Sequence, residues 1–239
     1  MKLSLVIPAY NEESILPDTI RTTTTALDQM LAQSIFSDYE LIMVSDGSTD
    51  TTAQILQNAE RSYPRFKAVV YTPNRGKGYA VKSGVLSSTG DCVVFTDADL
   101  AYGTDVIAAA IRRLSETDAD MLIGSRPLHP EGYAGYTPLR KLASRTYLKV
   151  ISIAAGFRLS DAQCGFKAMQ GACGRRLFAE CKTERFAFDL ELLMRAQKEG
   201  LHITEMPVKI INHRESSVHI VRDSIRMLRD IRRIKKSIQ

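Results

Sequence analysis

Cys92-Val93-Val94-Phe95 leads through Thr96 into Asp97-Ala98-Asp99. Four apolar residues bounded by polar ones read as a short buried strand, and the acidic triplet falls where that strand meets a loop. Two carboxylates one residue apart at such a place can hold a hard divalent cation against a diphosphate. Taken alone, such a triplet is more often a solvated acidic turn than a metal site. Two further segments, Val6-Ile7-Pro8-Ala9-Tyr10-Asn11-Glu12-Glu13 and Ser45-Asp46-Gly47-Ser48-Thr49-Asp50, also close apolar runs. Three strand ends carrying polar residues predict one crevice at the edge of a parallel sheet.

Outward from these strand ends the pattern repeats. Apolar, β-branched runs predict strands near 3–8, 40–45, 67–72, 92–96 and 120–124. Helical periodicity predicts helices near 13–33, 50–62, 78–88 and 104–116 between them. Strand alternating with helix is the mark of an α/β fold whose parallel sheet is covered on both faces. Asp50 before Thr51, and Thr104 before Asp105, are suited to cap helices, whereas the Thr22–Thr25 run is unusual inside one. After Ser125 the pattern changes. Residues 126–140 hold three prolines and two glycines and read as a long mobile loop. A helix near 139–155, a short element over 161–168, a helix near 187–199 and a strand near 203–211 follow. Over 219–238, Val221, Ile225, Leu228, Ile231, Ile234 and Ile238 fall on one helical face with arginines opposite.

The chain of 239 residues, 44% hydrophobic and 25% charged, has the composition of an ordinary globular protein with room for a real core. Cys92, Cys164, Cys173 and Cys181 show no metal-like spacing and read as thiols in a reducing cytosol. Neither a signal peptide nor a run of about 20 apolar residues is present in the sequence given. Residues 219–239 carry seven basic and two acidic residues, which accounts for the whole net charge of +5. The body is therefore near neutral, and no nucleic-acid partner is indicated.

The ordered set VIPAYNEE (6–13), SDGSTD (45–50), NRGKGYAVKSG (74–84), TDADL (96–100) and GSR (124–126) resembles the nucleotide-sugar domain of family-2 glycosyltransferases. Downstream, SDAQCGFKA (160–168) and ERFAFDLELL (184–193) resemble the enzymes that move a sugar onto a polyprenyl phosphate, the dolichyl-phosphate glucosyl branch more than the mannosyl one. The resemblance spans roughly residues 3–230. It implies the GT-A fold, a Rossmann-like, mainly parallel mixed sheet flanked by helices. It divides the chain into a glycosyltransferase domain over 1–218 and a basic amphipathic helix over 219–239. Within the domain, 1–125 is the nucleotide-sugar half and 126–218 the acceptor half.

On this resemblance, Pro8, Tyr10 and Glu12 bind the nucleoside, and Asp46 binds base or ribose. Read by themselves, these segments are a helix N-terminus capped by Asn11 and an Asp-Gly turn. Lys77, in a basic glycine turn opening a helix, can contact a nucleobase or phosphate. Asp97 and Asp99, with Ala98 between, hold magnesium or manganese across the diphosphate. Some relatives place a glutamine two residues beyond the second aspartate, where this chain has Ala101. Arg126 and Arg140 can pair with phosphate through a planar guanidinium. On the acceptor side, Asp161 and Gln163 are candidates for positioning, Asp161 or Asp189 for a base, and Lys167 and Arg214 for phosphate contacts. Ordinary ion pairing is the alternative for each charged group. His213 and His219 lack metal-ligand company.

The expected reaction is inverting, metal-dependent transfer of a hexose from a nucleotide diphosphate sugar, UDP-glucose before GDP-mannose, to a polyprenyl phosphate. A soluble glycan acceptor, a nucleotidyltransferase and a non-catalytic sugar-nucleotide-binding module are the competing readings. The expected location is cytoplasmic, peripheral on the cytoplasmic face of a membrane. There the C-terminal helix packs on the core, lies on anionic lipid, or does both.

Overall fold

The computed structural model describes residues 1–156, 159–212 and 220–238, with their side chains except those of 138–140, 143 and 220–227. The predicted alternation is present through β1 (Lys2–Ala9), α1 (Leu16–Ala32), β2 (Asp38–Asp46), α2 (Thr52–Ser62), β3 (Phe66–Tyr71), α3 (Lys77–Leu86), β4 (Cys92–Phe95), α4 (Asp105–Thr117) and β5 (Met121–Ser125). Then come α5 (Pro138–Ala155), β6 (Lys167–Gln170), α6 (Gly171–Glu180), α7 (Phe188–Lys198), β7 (Ile203–Pro207) and α8 (Ile220–Ile238).

All seven strands form one sheet in the order β3-β2-β1-β4-β6-β5-β7. Neighbours run parallel except at β6, which is antiparallel to both β4 and β5. The central strands are apolar at successive positions because both faces are covered. Leu3, Leu5 and Ile7 join Leu16, Ile20 and Leu27 of α1 and Ile107 of α4 on one face. Val6, Val93 and Phe95 join Val81 of α3, Phe178 of α6 and Phe188 of α7 on the other. Each such side chain fully removed from water contributes about 1.5–3 kcal/mol. The order reverses at β1, whose chain continues to β2 on one side while β4 lies on the other. That switch point opens a crevice at the carboxyl ends of the strands, where ligands of open α/β sheets bind.

The structure departs from the sequence expectations in instructive places. The first helix begins at Leu16 rather than near 13, because the segment before it is tied to the β2–α2 loop. Helix α6 was not expected, and the 161–168 element becomes a strand only at Lys167. The last strand ends at Pro207, which cannot donate to a ladder. Residues 126–137 are a succession of turns with Tyr133 buried, closed by bonds such as Gly132 N–H to His129 O at 3.0 Å. In α1, Thr23 and Thr24 are buried, and Thr24 Oγ1 donates to the Ile20 carbonyl at 2.8 Å. Asp50 accepts from Thr52 N–H at 2.9 Å from one position ahead of the N-cap, Thr51, and neither Thr51 nor Thr104 caps its helix through its side chain.

Helix α8 packs against α5 and α7 through buried Ile231 and Ile234, leaving Arg229, Arg232, Arg233, Lys235 and Lys236 exposed. Its central isoleucines therefore face the core and not a lipid surface. Among the described residues no helix is long and apolar enough to cross a membrane. All four cysteines are buried free thiols, and burial pushes those of Cys92 and Cys181 up to about 12.

Candidate active site

The carboxyl ends of β1, β2 and β4 bring three of the sequence segments to the crevice. After β1, Tyr10 is half exposed, and Asn11 takes a left-handed φ of 52°. Asn11 does not cap α1. Its Oδ1 accepts from Thr49 N–H at 2.8 Å, its own N–H donates to Ser48 Oγ at 3.1 Å, and Glu12 N–H donates to Thr52 Oγ1 at 2.9 Å. The Glu13 carboxylate accepts from Thr51 N–H and Oγ1 at 3.0 and 2.7 Å. Two loops are thereby laced together at the carboxyl end of β1, beside Pro8, Tyr10 and Glu12.

Asp46 ends β2 and is nearly buried. Its Oδ1 accepts from Tyr71 Oη and Arg75 N–H at 2.9 and 2.8 Å, and its Oδ2 from Asn74 Nδ2 and Gly76 N–H at 2.9 and 2.8 Å. Four donors on one carboxylate make Asp46 the organiser of the 74–76 turn. Burial, followed by the bond to Asp46, pushes the Tyr71 hydroxyl far above its ordinary pKa, so it stays a donor. Gly47, at φ 61°, is required here because a Cβ would meet Asn74 N at 2.2 Å. Arg75 stacks over the Tyr79 ring and pairs with Glu184, joining this turn to the loop before α7.

Helix α3 therefore starts from a rigid root, and its first residue, Lys77, extends Nζ to 2.5 Å from Asp97 Oδ1. Asp97 and Asp99 follow β4. Ala98 between them is buried, and its carbonyl accepts from Thr19 Oγ1 at 2.7 Å. Asp99 Oδ1 accepts from Ala101 N–H at 3.1 Å, and Asn212 Nδ2 donates to the carbonyls of Asp99 and Leu100 at 3.0 and 3.2 Å. Burial disfavours the Lys77 ammonium, but Asp97, Asp189 and Asp99 outweigh it and raise its pKa.

Deeper in, Lys167 lies wholly out of solvent. Its Nζ donates to Asp189 Oδ1 at 2.5 Å and to the Cys164 carbonyl at 2.7 Å, 5.5 Å from the centre of the Phe95 ring. Burial lifts the Asp189 carboxyl above its ordinary pKa, against the pull of Lys167 and Lys77. Asp97, Lys77, Asp189 and Lys167 thus form one cluster of alternating charge. After β5, Arg126 and fully buried Asp161 make a two-pronged pair, Nε–Oδ2 at 2.6 Å and Nη2–Oδ1 at 2.8 Å. Asp161 is thereby engaged with the guanidinium. Burial opposes the charge of Arg126, and Asp161 more than restores it.

Gln163 is half-buried in the loop between Asp161 and β6. Arg140 lies in α5 with its side chain outside the described set, and Arg214, like His213 and His219, lies outside the described residues. Sequence reasoning missed Asn74, Gly165 and Asn212. A Cβ on Gly165 would come within 2.2 Å of Asp97 Oδ2, so only glycine lets β6 approach that carboxylate. The Cys164-Gly165 step just before β6 was its one local signal.

The geometry agrees with what this chain is similar to. The pattern of "Glycosyl transferase family 2" matches residues 4–176. A dolichyl-phosphate beta-glucosyltransferase of Trichomonas vaginalis is 33% identical over 211 residues, 86% of this chain and 63% of the relative. One of Drosophila melanogaster is 33% identical over 217 residues, 87% of this chain and 67% of the relative. The chain thus spans about two thirds of the length of these relatives. Among solved structures, Mycobacterium tuberculosis glucosyl-3-phosphoglycerate synthase, in complex with Mn2+, UDP and glucosyl-3-phosphoglycerate, has the same fold. It superposes with a TM-score of 0.67 at 20% identity, covering 99% of this chain and 79% of its own.

Proposed function

This chain belongs to glycosyl transferase family 2, with the GT-A fold, and on that premise we propose that it transfers glucose from UDP-glucose to a polyprenyl phosphate with inversion at C1. The observation that carries the proposal is the acidic pair at the end of β4, beside the switch point of the sheet, facing the lysine that opens α3. The names of the curated relatives support the lipid acceptor. In this reading residues 126–218 serve as the acceptor half and 1–125 as the nucleotide-sugar half.

Asp97 and Asp99 offer hard oxygen donors, and an ammonium already stands as a cation at Asp97, so the pair fits magnesium or manganese. Among the described residues no group of three or more His, Cys, Asp or Glu converges, so phosphate oxygens and water would complete the coordination. The ion, when bound, neutralises the diphosphate as it leaves. Pro8, Tyr10 and Glu12 hold the nucleoside against the frame that Asp46 organises, and Lys77 meets the diphosphate. Arg126, aimed by Asp161, meets the acceptor or donor phosphate.

An oxygen of the acceptor phosphate forms the new bond to C1, and the bond from C1 to the diphosphate oxygen breaks with its electrons leaving on UDP. A phosphomonoester has a second pKa of about 6 and is largely dianionic at neutral pH, so no proton need be removed. Asp161 and Asp189 then position partners instead of acting as bases. Attachment to anionic lipid falls to the exposed basic face of α8, because its buried isoleucines are engaged by the core.

Thermal unfolding with UDP, UDP-glucose, GDP and GDP-mannose, each with and without Mn2+, tests the donor. At 100 times its Kd a ligand adds about 2.7 kcal/mol, which at about 2–4 °C per kcal/mol raises Tm by about 5–11 °C. The expected result is a Mn2+-dependent shift with the uridine compounds, followed by glucose transfer to dolichyl phosphate in detergent. A shift with guanosine compounds alone reassigns the donor to GDP-mannose, and no shift with any refutes the reading.

A further inference from the structure

Lys77 is a cation on a fixed root with a long arm. Just before it, Gly76 takes φ 108° and its N–H donates to Asp46 Oδ2 at 2.8 Å. A Cβ on Gly76 would meet the Glu184 carbonyl at 2.8 Å, and one on Gly78 would meet Phe188 Cβ at 2.5 Å. The backbone on both sides is therefore clamped, while four side-chain torsions carry the ammonium across the crevice to Asp97 Oδ1. The two ammoniums of the charge cluster differ in kind. That of Lys167 is wholly buried on Asp189 and a carbonyl, whereas the Lys77 and Asp97 side chains keep 25% and 31% of their exposure. One ammonium is part of the core, and the other lies where solvent and ligand reach it.

We propose that Lys77 is a resident counter-ion for Asp97. It holds the metal's place on that carboxylate until a divalent ion arrives with a nucleotide diphosphate, and it then swings onto the diphosphate. The inference rests on the reading of Asp97 and Asp99 as metal ligands. An ammonium 2.5 Å from Oδ1 occupies the space a divalent ion needs at about 2.0–2.6 Å from the same oxygen, and two like charges do not share it. A bare ion must evict the ammonium and strand it beside a second cation. An ion that comes with a diphosphate supplies the displaced ammonium with a new anion. Metal and nucleotide therefore bind cooperatively, each strengthening the other by the same factor.

The test is a Mn2+ titration of the full chain, read by the electron paramagnetic resonance of free Mn2+, with and without UDP. Wild type, Lys77→Met and Lys77→Arg are compared. Removing the charge is expected to tighten nucleotide-free Mn2+ binding by about tenfold, equivalent to about 1.4 kcal/mol, and to shrink the further gain that UDP gives. Lys77→Arg keeps the charge and should stay near wild type. Unchanged or weaker Mn2+ binding by Lys77→Met, while the wild type binds Mn2+ with UDP, overturns the counter-ion role. If the wild type binds no Mn2+ even with UDP, the metal reading fails and takes the inference with it. Should Lys77→Met not fold, amine labelling of wild-type Lys77 read by mass spectrometry decides the matter. Labelling should rise with saturating Mn2+ alone and fall with Mn2+ and UDP together, and no change with Mn2+ alone overturns the role.

Discussion

Asp161→Ala separates a strut from a base. In the wild type the Arg126 guanidinium is bound at 2.6 and 2.8 Å by the two carboxylate oxygens, and Arg126 N–H adds a contact at 3.2 Å. The arginine side chain is 16% exposed and the aspartate 0%. Truncating Asp161 leaves a nearly buried cation without its partner, a change that costs about 3–5 kcal/mol. At about 2–4 °C per kcal/mol for a chain of this size, Tm should fall by about 6–20 °C. Urea unfolding followed by circular dichroism, with the m-value checked for constancy, measures the loss directly. The double variant Arg126→Met/Asp161→Leu removes both charges and should recover more than half of it. The contrary result is a variant within about 1 kcal/mol of wild type that still transfers sugar about 100- to 10,000-fold more slowly, the range expected of a lost general base. That outcome would mean that Asp161 acts on the substrate and not on Arg126.

Two further outcomes follow from the geometry. Burial pushes the Glu191 carboxyl up, but bonds from Thr183, Lys182 and Arg195 outweigh it and hold its pKa below the ordinary 4.5. A carboxyl lower in the folded than in the unfolded chain stabilises fully at neutral pH and loses that stabilisation as pH falls through and below 4.5. Glu191→Gln should therefore be less stable at pH 7 and show a flatter decline in acid-induced unfolding. In Gly165→Ala the added methyl would sit 2.2 Å from Asp97 Oδ2 and displace it. Most of the Mn2+-dependent Tm shift with UDP should vanish, and an undiminished shift would place the metal away from Asp97.

The first half of the fold was legible because the strands are apolar runs of their own and α1, α2 and α4 each have their own periodicity, while α3 was marked by the glycine turn that opens it. Residues up to Ser125 supply both signals locally. Helix α6 was not, because Gly171 and Gly174 are poor helix formers within only ten residues, and its stability comes from packing on α3 and α7. The antiparallel direction of β6 is likewise set by partners, since four residues, Lys167–Gln170, carry no directional information. In the site, the residue types at the strand ends were readable but their partners were not. Nothing in Asp46-Gly47 announces that Tyr71, Asn74, Arg75 and Gly76 all close on one carboxylate. Lys167 read as a phosphate contact because a lysine is usually exposed; only the fold reveals Asp189 and a carbonyl waiting for it inside.

The place of β6 in the sheet also sets a condition on completing it. β4 has β1 and β6 as its neighbours, and β5 has β6 and β7, so no hydrogen bond of the sheet joins β4 to β5 directly. As the chain leaves a ribosome, β5 emerges more than forty residues before the strand that must slip between it and β4. Without Lys167–Gln170, β4 would present an unpaired edge and β5 would keep β7 as its one sheet neighbour. The four residues of β6 are a keystone, the one strand through which the β4 and β5 sides of the sheet are joined.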